Sequence, residues 1–100
     1  MDSSLTLVAL DLDFDCWVEH ALDRVWVHHN VFQWSPRVLR RVKQTLNWLQ
    51  DHFNRDLWVL DNDYEKAPNL PRYLRLLGFE PCELIPHDGM IRTAFVRRLV

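Results

Sequence analysis

The stretch Ser35–Phe53 constrains this chain more than any other. Ser35 can cap a helix with its side-chain oxygen, and Pro36 suits the first helical position, where its missing N–H would go unpaired anyway. Leu39, Val42, Leu46, Leu49 and Phe53 recur every three or four residues and form one apolar stripe. Arg37, Arg40, Arg41, Lys43, Gln44, Asn47 and Gln50 fall mostly on the other side. The spacing predicts a long amphipathic helix laid on a core. Its first two turns carry four cations, although the positive end of a helix dipole favours acids there. Either these side chains are solvated, or the helix start faces an anion. Solvation is the default, because long basic side chains on a helix usually cover surface.

A chain of 100 residues has room for one domain, spanning 1–100, with a single core. Its 48% hydrophobic content and mixed charge are those of a globular protein and exclude a disordered one. No apolar run approaches the roughly 18 residues of a membrane-spanning helix, so no membrane partner is expected. The start Met1-Asp2-Ser3-Ser4 does not read as a signal peptide. Cys16 and Cys82 are too few and too far apart for a disulfide framework or a zinc site. These features predict a cytosolic protein with free thiols. Residues 1–30 hold six acids and one base, whereas residues 31–56 hold five bases and two acids. Such polarity suits docking to a partner better than coating by nucleic acid.

Around the helix, Leu5–Phe14 alternates and reads as an antiparallel strand. Cys16–His20 and Val25–His29 read as two more strands, turning near Asp23 without a glycine. Asn30–Trp34 connects to the helix, and Asn54-Arg55-Asp56 turns out of it. Leu57–Leu60 is a compact apolar run, as in a central strand buried on both faces. Asp61–Asn69 is a polar loop whose Asn69 can cap a short helix, Leu70–Leu77, closed by Gly78. Phe79–Pro86 and Met90–Leu99 flank His87-Asp88-Gly89, the strongest hairpin signal present. The order is β-β-β-α-β-α-β-β. It predicts an α+β fold: a mixed, mostly antiparallel sheet carrying one long and one short helix.

Three groups of residues suggest chemistry. Asp11-Leu12-Asp13 after an apolar strand resembles the opening of haloacid-dehalogenase-type phosphatases, in which two aspartates and Mg²⁺ handle a phosphate. Asp61 and Asp63 would then be later metal ligands. The chain is short for that fold, and acids alternating on an exposed strand are the simpler reading. His28 and His29, with His20, invite a metal, but neighbours on a strand point to opposite faces, so no metal site is expected. Trp17, Trp26, Trp34, Trp48 and Trp58 beside arginines suggest base stacking, with core packing the default and nucleic acid not expected as a partner.

The element order, with Arg72-Tyr73-Leu74-Arg75-Leu76-Leu77-Gly78-Phe79, resembles the Gcn5-related N-acetyltransferase superfamily. The resemblance implies acetyl-coenzyme A held at the start of the long helix, by Ser35, Arg37, Arg40 and Arg41 here. The chain departs from that family at the sites of its chemistry. The glycine-rich pyrophosphate loop is replaced by Asn30-Val31-Phe32-Gln33-Trp34-Ser35-Pro36, which has no glycine. The position of the family's acid tyrosine is Leu74. Tyr73 lies next door, about 100° round the helix. Nothing resembles the family's first strand and first two helices. The pairs Cys16-Trp17, Val25-Trp26, Trp58-Val59 and Arg72-Tyr73 are similar to those of the small acetyltransferase-like internal virion proteins of short-tailed bacteriophages. That resemblance implies a non-catalytic phage accessory or virion-associated protein in the host cytoplasm or virion. Its partners would be virion or host proteins, and no cofactor is expected. The alternative is an active acetyl-coenzyme A-dependent N-acetyltransferase using Tyr73 as acid. An enzyme needs an open slot between the strand before the long helix and Leu57–Leu60, which Phe32 or Trp34 would plug in a binding module.

Overall fold

The structure, a computed structural model, describes residues 5–60 and 70–100, with no side-chain description at 70 and 71. It consists of strands β1 (Leu5–Leu10), β2 (Phe14–Ala21) and β3 (Arg24–Val31), helix α1 (Pro36–Phe53), strand β4 (Leu57–Leu60), helix α2 (Leu70–Leu76), and strands β5 (Glu80–His87) and β6 (Met90–Arg97). One six-stranded sheet has the order β1-β2-β3-β4-β6-β5. Only β3 and β4 pair in parallel, as the crossover through α1 requires; the other neighbours are antiparallel. The α+β class and element order are those expected. The predicted loop Asp61–Asn69, the Asn69 cap and the carboxylates of Asp61 and Asp63 lie outside the described residues.

Local chemistry explains the elements. Ser35 Oγ accepts from the Val38 N–H at 3.1 Å, and α1 closes at Asn54 in the left-handed conformation with φ 54°. The β2–β3 turn places Leu22 and Asp23 at φ 54° and 57°, so a tight hairpin forms without glycine. Asp88 and Gly89, at φ 52° and 74°, make the second hairpin turn as the sequence indicates. Gly78 sits at φ +94° and ends α2, where a side chain would be strained.

Both helices lie on one side of the sheet. The core joins Val38, Val42, Leu46 and Leu49 of α1 to Leu74 and Leu77 of α2 over Phe14, Cys16, Val18, Val25, Val27, Leu57, Val59 and Phe95. The apolar stripe of α1 is therefore rotated from the predicted one. Val38 is fully buried and Leu39 and Phe53 only partly so, while Gln50, expected on the polar side, is 7% exposed. β4 is central, with Leu57 and Val59 buried beneath the helices and Trp58 and Leu60 half-buried on the other face, where Trp26, Ala94 and Val96 are also buried. The tryptophans divide: Trp26 is buried, Trp34 packs against the core, Trp17 and Trp58 are half-buried, and Trp48 is 55% exposed. Trp26 and Trp58 share the face away from the helices with Arg24, whose guanidinium lies 3.8 Å from the Trp58 ring centre and pairs with Glu83.

Candidate functional site

The start of α1 was the region of interest, and three separate elements build it. β1 ends at Leu10, so Asp11, Leu12 and Asp13 are not alternating strand residues but a turn. Asp11 Oδ1 accepts from the Asp13 N–H at 3.1 Å, and the Asp11 N–H donates to the Phe14 carbonyl at 2.9 Å. The Asp13 carbonyl then accepts from Phe32 and Gln33 at 2.8 and 3.5 Å, which fastens the connector between β3 and α1 to this turn.

That turn sets both aspartates against the helix. Arg37 lies 3.4 Å from Asp11 and 3.5 Å from Asp13, and Arg41 lies 3.3 Å from Asp11. The amide of Asp13 holds the Asp11 carboxyl below its usual range, partial burial opposes the shift, and the charges of Arg37 and Arg41 add to it. The anion faced by this basic helix start belongs to the chain itself.

Two backbone donors of the first turn are also committed. Pro36 has no N–H, the Val38 N–H is held by Ser35 Oγ, and the Leu39 N–H donates to the Ser35 carbonyl at 2.9 Å. The structure thus brings Ser35, Arg37, Arg40 and Arg41 together, but uses Ser35, Arg37 and Arg41 internally. Arg40 is exposed, with no ion pair among the described residues. These residues do not fit a coenzyme pyrophosphate, which needs several outward-facing N–H groups and unpaired cations.

The neighbouring aromatics separate in role. Phe32 is 65% exposed and plugs nothing. Trp34 packs against the core and stacks on Tyr73, with ring centres 4.5 Å apart and planes at 14°. Leu74, at the position of the family's acid tyrosine, is fully buried among core side chains. Between β3 and β4 only Val25–Leu57 and Trp26–Trp58 pair. Past those residues the two strands no longer pair with one another.

Two features escaped sequence reasoning. His28 and His29 point to opposite faces, as their adjacency predicts. His28 meets Glu19 at 2.8 Å, whereas Nδ1 of His29 is buried with no hydrogen-bond partner. Burial, helped by the charge of His28 and opposed by Asp15, pushes the His29 pKa down to about 4. Opposite it in register, Cys16 has its thiol pushed up to about 12 by burial and then by Asp15, so it is not a nucleophile at neutral pH. At the far end of α1, Arg97 donates to the Leu77 carbonyl at 2.9 Å, to Asn47 at 2.6 Å and to Gln50, whose amide returns a bond to the Arg97 carbonyl at 2.8 Å. This cage ties β6 to both helices. Its sequence signal, one glutamine on an amphipathic helix, was too common to identify it.

Among the described residues no group of His, Cys, Asp or Glu is arranged to hold a metal ion, and no helix is long and apolar enough to cross a membrane. Comparison with protein-family models, curated protein sequences and solved structures finds no match to the chain.

Proposed function

We propose that this chain is a non-catalytic accessory protein that works through protein contacts on a degenerate acetyltransferase-like fold. By its resemblance to the small acetyltransferase-like virion proteins of short-tailed phages, it would act in the host cytoplasm or the virion. The observation that carries the reading is the internal neutralisation of the helix start. Asp11 and Asp13 hold Arg37 and Arg41, and Ser35 holds the amides that a phosphate would need. An incoming pyrophosphate would have to displace two carboxylates and a cap, and would be repelled by the acids meanwhile. The Trp34–Tyr73 stack supports the same reading, since it engages the ring that a displaced catalytic acid would use.

The alternative, an active N-acetyltransferase, draws support from one feature. β3 and β4 separate after two residue pairs, where the family resemblance implies a coenzyme slot. Calorimetric titration with acetyl-coenzyme A separates the readings. No binding at millimolar ligand is expected of the wild type, nor of Arg37→Ala/Arg40→Ala. Micromolar binding abolished by that double substitution would overturn the proposal and restore the enzyme. Asp11→Asn/Asp13→Asn frees both arginines, and any weak anion binding it gains measures what the acids suppress.

A further inference from the structure

The two edges of the sheet differ in kind. β5 is defended against pairing: it contains Pro81 and Pro86, with Glu80, Glu83 and His87 along it. β1 reads Leu-Thr-Leu-Val-Ala-Leu, without a charge, proline or glycine, and its outer edge has no strand partner among the described residues. An edge of this composition leaves backbone donors and acceptors ready for another strand.

Both faces of β1 carry apolar surface. A register shift between Leu7 and Ala9 places Leu7 opposite Trp17 and Leu10 opposite Asp15, so Leu5, Leu7 and Leu10 share the face away from the helices. They are 53%, 42% and 75% exposed. On the helix side, Val8 and Ala9 floor a groove of about 290 Å³ roofed by Gln44, Thr45 and Trp48. The groove opens along the same edge.

We propose that β1 pairs antiparallel with β1 of a second copy of this chain, joining two sheets into one across a two-fold axis. The strand is complementary to itself. Being uncharged, it brings no like charges together, and antiparallel self-pairing is the isologous contact that a two-fold allows. Thr6 and Ala9, opposite Val18 and Cys16, face the helix side, and its leucines face the other. Pairing therefore gathers six leucines, three from each copy, on the face away from the helices.

Leu5, Leu7, Leu10 and Trp48 at their exposures offer at most roughly 450 Å² per copy, or roughly 900 Å² across two; the paired strand backbones supply the rest of the about 1,000 Å² that a specific interface needs. This inference is independent of the acetyltransferase resemblance and of any coenzyme.

The test is sedimentation velocity on the full chain over a dilution series, with circular dichroism to monitor folding. The wild type is expected at twice the mass of one chain, dissociating on dilution. Leu7→Lys and Leu10→Lys place a charge in the proposed seam and are expected to weaken association at least tenfold with unchanged spectra. Leu10→Lys, the more exposed site, decides the matter if Leu7→Lys unfolds. Leu84→Lys, on the opposite edge, is expected to remain dimeric. A wild type that stays monomeric at every concentration overturns the proposal, even if it captures a strand from a different protein. A dimer that survives Leu10→Lys, or one that Leu84→Lys dissolves, overturns it as well.

Discussion

Replacing His29 by leucine should remove a block of acid sensitivity from this protein. In the folded chain Nδ1 of His29 is buried without an acceptor, and burial pushes its pKa down to about 4 from an ordinary 6.5. Above pH 6.5 the ring is neutral in both folded and unfolded chains, and titration contributes nothing. As pH falls from 6.5 to 4, the unfolded chain takes up the proton and the folded chain does not, so stability declines. The slope approaches 1.4 kcal/mol per pH unit, or about 3 kcal/mol over the interval. Urea unfolding of wild type and His29→Leu at steps from pH 7 to 4 reads this directly. Over the full interval the wild-type midpoint should fall by roughly 1.5 M more than the variant's, for a denaturant slope of about 2 kcal/mol/M. Other titrating groups are common to both proteins and cancel in the difference. A gap between wild type and variant that stays constant across the series would refute the reasoning, because a solvated or hydrogen-bonded His29 predicts that result.

Other substitutions probe the frame. Leu46→Ala removes a fully buried side chain at the centre of α1 and should cost about 2–5 kcal/mol in chemical denaturation. Ser35→Ala releases the Val38 amide and should cost about 1 kcal/mol by the same assay, without changing the circular dichroism spectrum. Gly78→Ala should lower the melting temperature more than Gly89→Ala. Both glycines have positive φ, but a Cβ at Gly78 would lie 3.2 Å from Arg97 Nε and one at Gly89 meets open space. Equal melting shifts for the two would mean that the Arg97 side chain yields freely.

The distribution of information follows from range. Ser35, Pro36 and Gly78 announced their helix ends because a cap or a left-handed residue acts within a few positions of itself. Asp88-Gly89 announced its hairpin for the same reason. The turn near Asp23 was legible from the flanking strands but its tight form was not, because the pairing of β2 with β3 holds Leu22 and Asp23 at positive φ. The candidate site divides the same way. Ser35, Arg37, Arg40 and Arg41 were legible as a basic helix start, and Leu74 as a missing acid.

Whether that start could take an anion was not legible. The answer rests on Asp11, 26 residues before Arg37, and on a turn that strand periodicity hid. Gln50 read as solvated because its burial depends on Arg97, 47 residues away. The sequence by itself determined the elements, their order and the α+β class, since hydrophobic period and capping are local. Only the tertiary structure decided which carboxylates meet which arginines and that both helices share one face. Each of those is a contact between residues far apart in the chain, and no local preference encodes it.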